Sequence, residues 1–401
     1  MCAVAPGTAI ARSPRLELAD IVRTHGEAYR RTHRLVPIQH RALRAIASCR
    51  TAALGGHRET RDHCGAVRVS YTSCRNRHCP KCQTLTKGRW RAARKADLLP
   101  IPYCHVVFIL PHDLNALAQG NPRVIYALLF RAAADTLLTF GRDPHYLGGT
   151  IGITAILRTW GQALTQHLHL HCLVPGGALA ADRAHSIGDR PSLLFPVRAL
   201  ATVFRAKYLA GQHRAFDAGQ LTFATGTAPL AERRTFTGFL GQLRAVDWVV
   251  YATRPFAGPV QVLEYLGRYT HRVALADNRI VDHGEGRVRF RWKDYADHDR
   301  VKVMTLEVDE FLRRFLLHVV PRGFMRIRHF GLLANRTRRA LVGRRRALLG
   351  HPPPTDAPSE SVTQFLQRLV GVDLTRCPVC REGHLQIMVI VGPGPPPLDT
   401  S

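Results

Sequence analysis

The sequence predicts an α+β protein, an antiparallel sheet flanked by helices, with a small Cys/His-rich domain at its N-terminus. Two segments are β-type runs, the largely apolar CHVVFIL at 104–110 and the alternating HLHLHCLV at 167–174. Helical periodicity occurs on both sides of these segments, without the regular strand–helix–strand repeat of a parallel sheet. These observations together favour one mostly antiparallel sheet.

The individual elements follow from local signals in chain order. Pro111 closes the first β-type run, and Pro175-Gly176-Gly177 closes the second. The sequence DHGEG between two short β-type runs is typical of a hairpin turn. The predicted helices are 16–28, 37–47, 86–99, 122–140, 236–250, 259–271 and 309–320, and the predicted strands are 104–110, 150–157, 167–174, 279–281 and 287–292.

Composition changes along the chain divide it into three parts. Residues 1–100 are predicted to form a helical and Cys/His-rich domain, and residues 101–345 the larger domain that contains the sheet. Residues 346–401 are rich in proline and are predicted to be a linker and tail carrying one Cys-x-x-Cys pair.

The net charge of the chain indicates which class of molecule it binds. The chain has 57 Lys plus Arg against 29 Asp plus Glu, a formal net charge of +28. Such an excess predicts nucleic acid as the partner. No uninterrupted apolar run approaches the 20 or so residues of a membrane span, and the N-terminus lacks a signal-peptide pattern. We therefore expect a cytoplasmic protein that does not engage membranes.

Three histidines alternate along the strand predicted at 167–174. Because side chains in a strand alternate between faces, His167, His169 and His171 should project from one side. Three imidazoles on one face need three polar partners, and one divalent cation can satisfy them together. The alternative is a solvated or hydrogen-bonded strand face. Leu168, Leu170 and Cys172 should then face the apolar layer.

A second candidate constellation is a tyrosine pair. The segment 259–271 reads PVQVLEYLGRYTH, which would place Tyr265 and Tyr269 one helical turn apart on one face. Deprotonated phenols are competent nucleophiles, so two of them could attack two phosphodiesters in turn. The alternative for such a pair is an amphipathic packing stripe, and the histidine strand favours the catalytic interpretation.

Cysteines are concentrated in the first domain. Cys79-Pro-Lys-Cys82 is a knuckle typical of zinc sites, and Cys64, Cys74, Cys79 and Cys82 can supply four tetrahedral ligands. Cys49 and the imidazoles of this region, His57 among them, are candidates to substitute or to build a second site. Cys377 and Cys380 form half of a zinc ribbon, for which a weak site, a remnant and a simple turn all remain open. Basic residues around the knuckle suit phosphate contacts, namely Arg75, Arg77, Lys81 and Lys87.

Taken in order, these elements resemble the IS91-type transposases, a class with two catalytic tyrosines and a His-hydrophobic-His (HUH) motif. The resemblance extends from about residue 49 to 338. It departs from the family at Arg61, where a first cysteine of a Cys-x-x-Cys pair is usual, which leaves the zinc stoichiometry open. It is carried by CRTAALGGH, SCRNRHCPKCQ, HLHLHCLVPGG, YLGRYTHRVALADNRI, FRWKDY and EFLRRFLLHVVPRGFMRIRHFGLLANR.

The resemblance implies an HUH-endonuclease-like core and a specific chemistry. It implies that His169 and His171 hold Mg²⁺ or Mn²⁺, that Tyr265 and Tyr269 are the nucleophiles, and that Cys64, Cys74, Cys79 and Cys82 belong to a zinc-binding domain. The implied reaction cleaves and rejoins single-stranded DNA through 5′-phosphotyrosine links, without a nucleotide cofactor, in rolling-circle-like transposition. The expected location is the bacterial cytoplasm, in association with the nucleoid.

Three other functions remain open from the sequence. A zinc-containing DNA-binding regulator without catalysis would account for the charge and the cysteines but leaves the histidine strand unused. A rolling-circle replication initiator would share the chemistry. An inactive relic of a transposase would retain the motifs without the activity.

Overall fold

In a computed structural model the described residues are 16–188, 195–256, 261–262, 273–351, 360–371, 373, 375–377, 380 and 382–394. They form helices and antiparallel sheets, which confirms the predicted α+β class. The predicted helix at 259–271, with both tyrosines of the pair, lies outside the described residues apart from the helical residues 261–262.

The largest sheet has five strands, and every neighbouring pair in it is antiparallel. The histidine-bearing strand is its central member. In spatial order the strands are β13 (Ile327–Gly331), β5 (Gly152–Trp160), β6 (Gln166–Pro175), β3 (Tyr103–Ile109) and β9 (Val250–Phe256).

One face of this sheet is apolar and is covered by two long helices, α5 (Pro122–Arg142) and α6 (Val197–Asp217), in the main hydrophobic core. Leu168, Leu170 and Cys172 belong to that core, and each is at most 1% exposed. The prediction that these three residues face the apolar layer is therefore confirmed. Their neighbours on β6, the three histidines, must face the opposite side of the sheet.

The N-terminal module is held together around a second, smaller sheet, whose strands lie in the order β14 (Leu385–Val391), β1 (Gly56–Arg61) and β2 (Val67–Tyr71). Its third strand, β14, comes from the C-terminal tail and pairs with β1. The tail is thus joined to the first domain rather than isolated from it. The elements of the module are α1 (Leu18–Thr32), α2 (Pro37–Ala47), β1 (Gly56–Arg61), β2 (Val67–Tyr71), α3 (Gln83–Asp97) and β14 (Leu385–Val391).

A three-stranded meander packs beside α1. The predicted hairpin is present as β10 (Ile280–Gly284) and β11 (Arg287–Asp294), and β12 (Arg300–Glu307) extends it. The helix that follows, α8 (Val308–Leu316), shares a buried cluster with α1 and with the meander. The remaining elements are α4 (Asn115–Gly120), β4 (Gly149–Thr150), β7 (Ala178–Ala180), β8 (Ser186–Ile187), α7 (Arg233–Ala245), α9 (Arg338–Leu348) and α10 (Val362–Val370).

The helix predicted at 236–250 ends earlier than expected. In the structure α7 ends at Ala245, and Val250 already belongs to edge strand β9. The indole of Trp248 donates to the carbonyl of Leu243, 2.8 Å away, and its ring is buried against α6 residues. This contact satisfies a carbonyl of the last helical turn and turns the chain toward the sheet.

One described helix, Pro122–Arg142, is long and apolar enough to cross a bilayer by length and composition alone. This helix is α5, and 61% of its most apolar 18-residue window is buried inside the protein. A helix of this kind is also what covers one face of a large sheet, which is the role α5 has here.

Candidate functional site: a histidine face, a basic cleft and two thiol clusters

The face of the five-stranded sheet opposite α5 is polar at its centre. The rings of His167 and His169 lie 4.8 Å apart, and those of His169 and His171 lie 4.9 Å apart. His169 and His171 are each 7% exposed, whereas His167 is half-buried. The predicted row of three imidazoles on one face therefore exists, and two of its members lie deep in the protein.

The Nδ1 atoms of the two deeper rings are both engaged. In His169, Nδ1 lies 2.8 Å from the backbone carbonyl of His167, so it must carry the proton and donate. In His171, Nδ1 lies 2.9 Å from Nε2 of His105 on β3. Both rings are thereby oriented so that a metal ion would be bound through Nε2, the arrangement expected for histidine ligands.

His167 has a different environment from the other two. Its Nδ1 lies 3.1 Å from Nε2 of His112, a residue just beyond β3, and this contact is exposed. His167 therefore flanks the deeper pair at the edge of the face.

Burial keeps these imidazoles neutral. Desolvation, with a smaller contribution from the nearby charge of Arg158, lowers the pKa of His169 to about 3. Desolvation and then His169 lower the pKa of His171 well below its usual value. Because neutral imidazole is the form that binds metal, both rings are in the ligand state at neutral pH.

Two residues of this face carried no recognisable signal in the sequence. The ring of His105 stacks on that of His171, with centroids 5.1 Å apart, and Arg158 lies opposite His169 in the β5–β6 register. Both are less than 9% exposed. Only the pairing of β3 and β5 with β6 brings them to the histidines, and one histidine or arginine in an apolar strand does not reveal that pairing.

The histidine face fits a divalent cation in part. His169 and His171 supply two imidazoles of the kind that Mg²⁺, Mn²⁺ and related ions accept when oxygen ligands complete the shell. Within the described part of the chain, however, three or more potential ligands with all ligand atoms within 4.8 Å of one another occur only at cysteine clusters. The remaining ligands would have to come from substrate, water or residues outside that part.

The beginning of the tyrosine segment lies on this same face. Val262, the last described residue before the pair, is fully buried in a cluster with Tyr103, Ile156 and Leu173. Ile156 lies opposite His171 in the β5–β6 register, so the two share a face. Tyr265 and Tyr269 follow Val262 by three and seven residues and lie outside the described residues.

A basic cleft of about 430 Å³ opens beside the histidine face, between α3 and β13. Arg326 in its wall is only 7% exposed, and burial followed by the charge of Arg77 lowers its pKa to about 10. Among the residues that the structure describes, neither Arg326 nor Arg77 forms an ion pair. The lining includes Arg77, Gln83, Thr86, Trp90, Arg94, Ile327, His329, Asn335 and Arg338.

In the N-terminal module the structure gathers four thiols, but not the four expected. Cys74, Cys79 and Cys82 lie together, and the fourth member is Cys49 rather than Cys64. The Sγ–Sγ distances are 3.5 Å from Cys82 to Cys49 and to Cys74, and 3.6 Å from Cys79 to Cys49. These distances approach the edge of about 3.8 Å expected for a tetrahedron with 2.3 Å zinc–sulfur bonds. The donor set and its geometry therefore fit a structural zinc ion.

Cys64 and His57 lie away from this cluster for local reasons. Cys64 is in the turn between β1 and β2, where it meets Cys377, with 3.6 Å between the Sγ atoms. His57 points along β1 to Glu59, with 2.6 Å between its Nε2 and a carboxylate oxygen. The alternative that Cys49 substitutes for another ligand was open from the sequence, and in the structure it is Cys49, not Cys64, that lies beside the other three thiols.

The four basic residues expected to contact DNA have unequal surroundings. Arg75 is exposed and has a left-handed backbone conformation, with φ of 51°. Arg77 donates to the carbonyl of Phe324, 2.7 Å away, and Lys81 pairs with Glu17. Lys87 is half-buried on α3. Arg77 and Lys81 thus also link parts of the protein.

Comparisons with known proteins agree with this architecture. Residues 21–110 match the family described as "Transposase zinc-binding domain", and residues 152–340 match the family described as "Putative transposase". The first match contains Cys49, Cys74, Cys79 and Cys82, and the second contains the histidine strand and both tyrosines. No solved structure matches the chain significantly.

Two curated relatives align over most of their length. The chain is 50% identical to "Putative transposase y4qJ" of Sinorhizobium fredii (strain NBRC 101917 / NGR234), over 92% of this chain and 94% of the relative. It is 26% identical to "Transposase for insertion sequence element IS801" of Pseudomonas savastanoi pv. phaseolicola, over 86% of this chain and 82% of the relative. The chain therefore belongs to the IS91-type transposases and carries their N-terminal zinc-binding domain.

Proposed function

We propose that this transposase cleaves and rejoins single-stranded DNA with Tyr265 and Tyr269 as nucleophiles and with a divalent cation, Mg²⁺ or Mn²⁺, at the histidine face. The observation that carries the proposal is the paired orientation of His169 and His171, each with Nδ1 engaged in a hydrogen bond. A second support is the burial of Val262, at the start of the tyrosine segment, against residues of that same face.

The chemistry conserves the energy of the broken bond. A tyrosine phenol loses its proton to water, and its oxygen attacks the scissile phosphorus. The bond from phosphorus to the 3′ oxygen breaks, and that oxygen leaves with a proton as a free 3′-OH. The protein is then linked to the 5′ phosphate. Attack by a 3′-OH on this phosphotyrosine reverses the step, so rejoining needs no nucleotide cofactor.

The residues of the face have distinct parts in this scheme. His169 and His171 hold the cation, His105 fixes the ring and tautomer of His171, and His167 flanks the pair. When bound, a divalent cation neutralises charge on the non-bridging phosphate oxygens. Arg158, opposite His169, adds positive charge beside the reacting phosphate.

The substrate strand reaches this face through the basic cleft between α3 and β13. Proteins that bind single strands combine a positively charged groove with aromatic rings for base stacking. Arg77, Arg94 and Arg326 supply the charge, and Trp90 supplies a ring. A single strand fits this cleft better than a duplex because unstacked bases can reach Trp90.

The zinc-binding domain positions the DNA without cutting it. We assign its structural zinc to Cys49, Cys74, Cys79 and Cys82, and a DNA phosphate contact to Arg75, the exposed basic residue of this loop. Because its proposed substrate is chromosomal DNA, we expect the protein to act in the bacterial cytoplasm, in association with the nucleoid. We divide the chain functionally into residues 1–100, 101–345 and 346–401.

A labelling experiment tests the reaction. Single-stranded and duplex oligonucleotides that tile both ends of the mobile element, labelled at the 5′ or the 3′ end, are incubated with the protein and Mn²⁺. We expect a denaturation-resistant adduct that retains the 3′ label, and a released 5′-labelled fragment ending in 3′-OH, on single strands only.

Two controls and two alternative outcomes decide between the candidate functions. Chelation of Mn²⁺ should abolish the adduct, and His171→Ala should reduce its rate of formation about 100-fold or more. Binding without any adduct across the tiled set would point to a DNA-binding regulator or an inactive relic. An adduct that retains the 5′ label would require attack with the opposite polarity and would contradict the proposed chemistry.

A further inference from the structure

We propose that Cys64, Cys377 and Cys380 bind a second zinc ion, which clasps the C-terminal segment onto the N-terminal module. The three Sγ atoms all lie within 4.8 Å of one another, although Cys64 is more than 300 residues from the other two. Cys377 and Cys380 lie beyond both matched family regions. This cluster shares no ligand with the one around Cys79.

The loop that follows Cys380 is arranged to hold a thiolate. The backbone N–H of Gly383 donates to Sγ of Cys380, 3.4 Å away. The first cluster has the same feature, because Asn76 N–H donates to Sγ of Cys74 at 3.5 Å. Such N–H to sulfur bonds favour the charged form that metals bind.

The two loops also approach each other closely. The backbone N–H of His384 donates to a carboxylate oxygen of Asp62 at 2.7 Å, and Asp62 N–H donates to the carbonyl of His384 at 3.2 Å. A side chain at Gly383 would place its Cβ 2.7 Å from Asp62 and His63. The glycine therefore permits an approach that brings the Cys-x-x-Cys loop to Cys64.

Apolar burial is too small to explain why the C-terminal strand stays docked. β14 pairs with β1 through its backbone, but six of its seven residues are exposed, with Ile390 84% and Met388 61% exposed. A strand that buries so little side-chain surface gains little hydrophobic free energy from docking. A zinc clasp supplies the missing stabilisation, since metal binding to preformed loops stabilises the folded state.

A disulfide is the competing explanation for neighbouring thiols. The Sγ atoms of Cys64 and Cys377 are 3.6 Å apart, well beyond the length of about 2.05 Å of a disulfide bond, so these two cysteines are not joined by one in the structure. A disulfide between two of the three thiols would also leave the third without a covalent partner. The fourth zinc position is left to solvent or to an exposed imidazole such as that of His63, beside Cys64. Such a site should exchange its metal faster than the four-thiolate cluster.

Elemental analysis of the full-length protein, purified with zinc and without chelators, tests the proposal. We expect two equivalents of zinc in the wild type, one in Cys380→Ser, one in Cys79→Ser and none in the double variant. The matched control Cys172→Ala removes a buried thiol of the central sheet and should keep both. One equivalent in the wild type, or two in Cys380→Ser, would overturn the second site.

Three further measurements keep the outcome independent of misfolding. Hydrogen exchange should accelerate in 385–391 of Cys380→Ser while α5 stays protected, which shows local release of the strand. Replacement of zinc by Co²⁺ should give thiolate-to-cobalt absorption that loses one component in Cys380→Ser. Mass spectrometry that finds Cys64 oxidised to a disulfide, with no second metal, would also overturn the proposal.

Discussion

The histidine face and the cysteine clusters both gather metal-binding side chains, but different forces hold them in place. His169 and His171 lie on the central strand of a sheet whose other face is buried under α5 and α6, so apolar packing fixes them with or without metal. The thiols lie in loops and at the ends of a small, exposed sheet. The proposed catalytic ligands are therefore preorganised by the fold, whereas the proposed structural ligands would organise the fold around them.

The largest expected effect concerns the deeper histidines. His169→Ala and His171→Ala should each reduce metal-dependent strand cleavage about 100- to 1,000-fold, because each removes a ligand from a cation that stabilises developing charge. Thermal unfolding and single-strand affinity should change little, since packing on the other face is untouched. His167→Ala, which alters only the edge of the face, should lose about 10-fold or less. Equal losses in all three variants would contradict the distinction between a deep pair and a flanking residue.

The cysteine region should respond in the opposite way. Cys79→Ser should lose one zinc equivalent and raise hydrogen exchange throughout α2 and the loop that contains Cys74, because structural zinc contributes about 10 kcal/mol to folding in isolated modules. The central strands β3 and β6 should remain protected. If exchange in β6 rises as much as in α2, the two regions depend on each other more than their packing indicates.

An intermediate effect on metal binding is expected at His105. Its ring contacts Nδ1 of His171, but His105 is not itself a proposed metal ligand. His105→Ala should weaken Mn²⁺ binding about 10- to 100-fold, as measured by calorimetry on the DNA-free protein. His105→Gln should recover much of that loss, because its amide oxygen can accept from Nδ1 of His171. Failure of glutamine to restore affinity would point to a packing role for His105.

The histidine face and the cysteine clusters also differ in how much of each the sequence predicts. The His167–His171 alternation is local, so periodicity alone gives the shared face, and the opposite apolar residues are confirmed in the core. Which cysteines lie together in a cluster depends instead on how distant parts of the chain pair. Cys49 lies with the other three thiols in place of Cys64 because the β1–β2 turn carries Cys64 to the far end of the module, where the loop before the C-terminal strand brings Cys377.

Local sequence patterns did not predict two other elements, β13 and β14, for similar reasons. β14 is mostly exposed and lies in the segment predicted as a proline-rich linker and tail, and only its pairing with β1 makes it part of a sheet. β13 carries His329 to the histidine face and Arg328 to the opposite side, but its sequence lacks the alternation of a half-buried strand. Long-range backbone pairing, rather than residue preference, determines these elements.

The smallest expected effect concerns the cleft. Arg326→Met keeps much of the side-chain volume and removes a buried charge that lacks an ion-pair partner in the described part of the chain. The slope of log affinity for single-stranded DNA against log salt should fall by about 0.7 for each DNA phosphate that the variant no longer neutralises. Arg131→Met, on the separate cleft between α5 and α6, is the matched control and should leave the slope unchanged. If the two variants have equal salt slopes, single-stranded DNA does not bind in the cleft between α3 and β13.

The central claim, that the tyrosine pair attacks DNA at the histidine face, is tested most directly by the covalent adduct formed with single-stranded DNA and Mn²⁺. The double variant Tyr265→Phe/Tyr269→Phe removes both attacking oxygens and keeps both rings. Tyr251→Phe is the matched control, since Tyr251 is an exposed phenol of β9 that faces the same side as Val107 and His171. We predict no adduct with the double variant, a normal yield with Tyr251→Phe, and reduced but detectable yields with each single variant of the pair. An adduct that persists in the double variant would contradict the account, because the nucleophile would then be another residue.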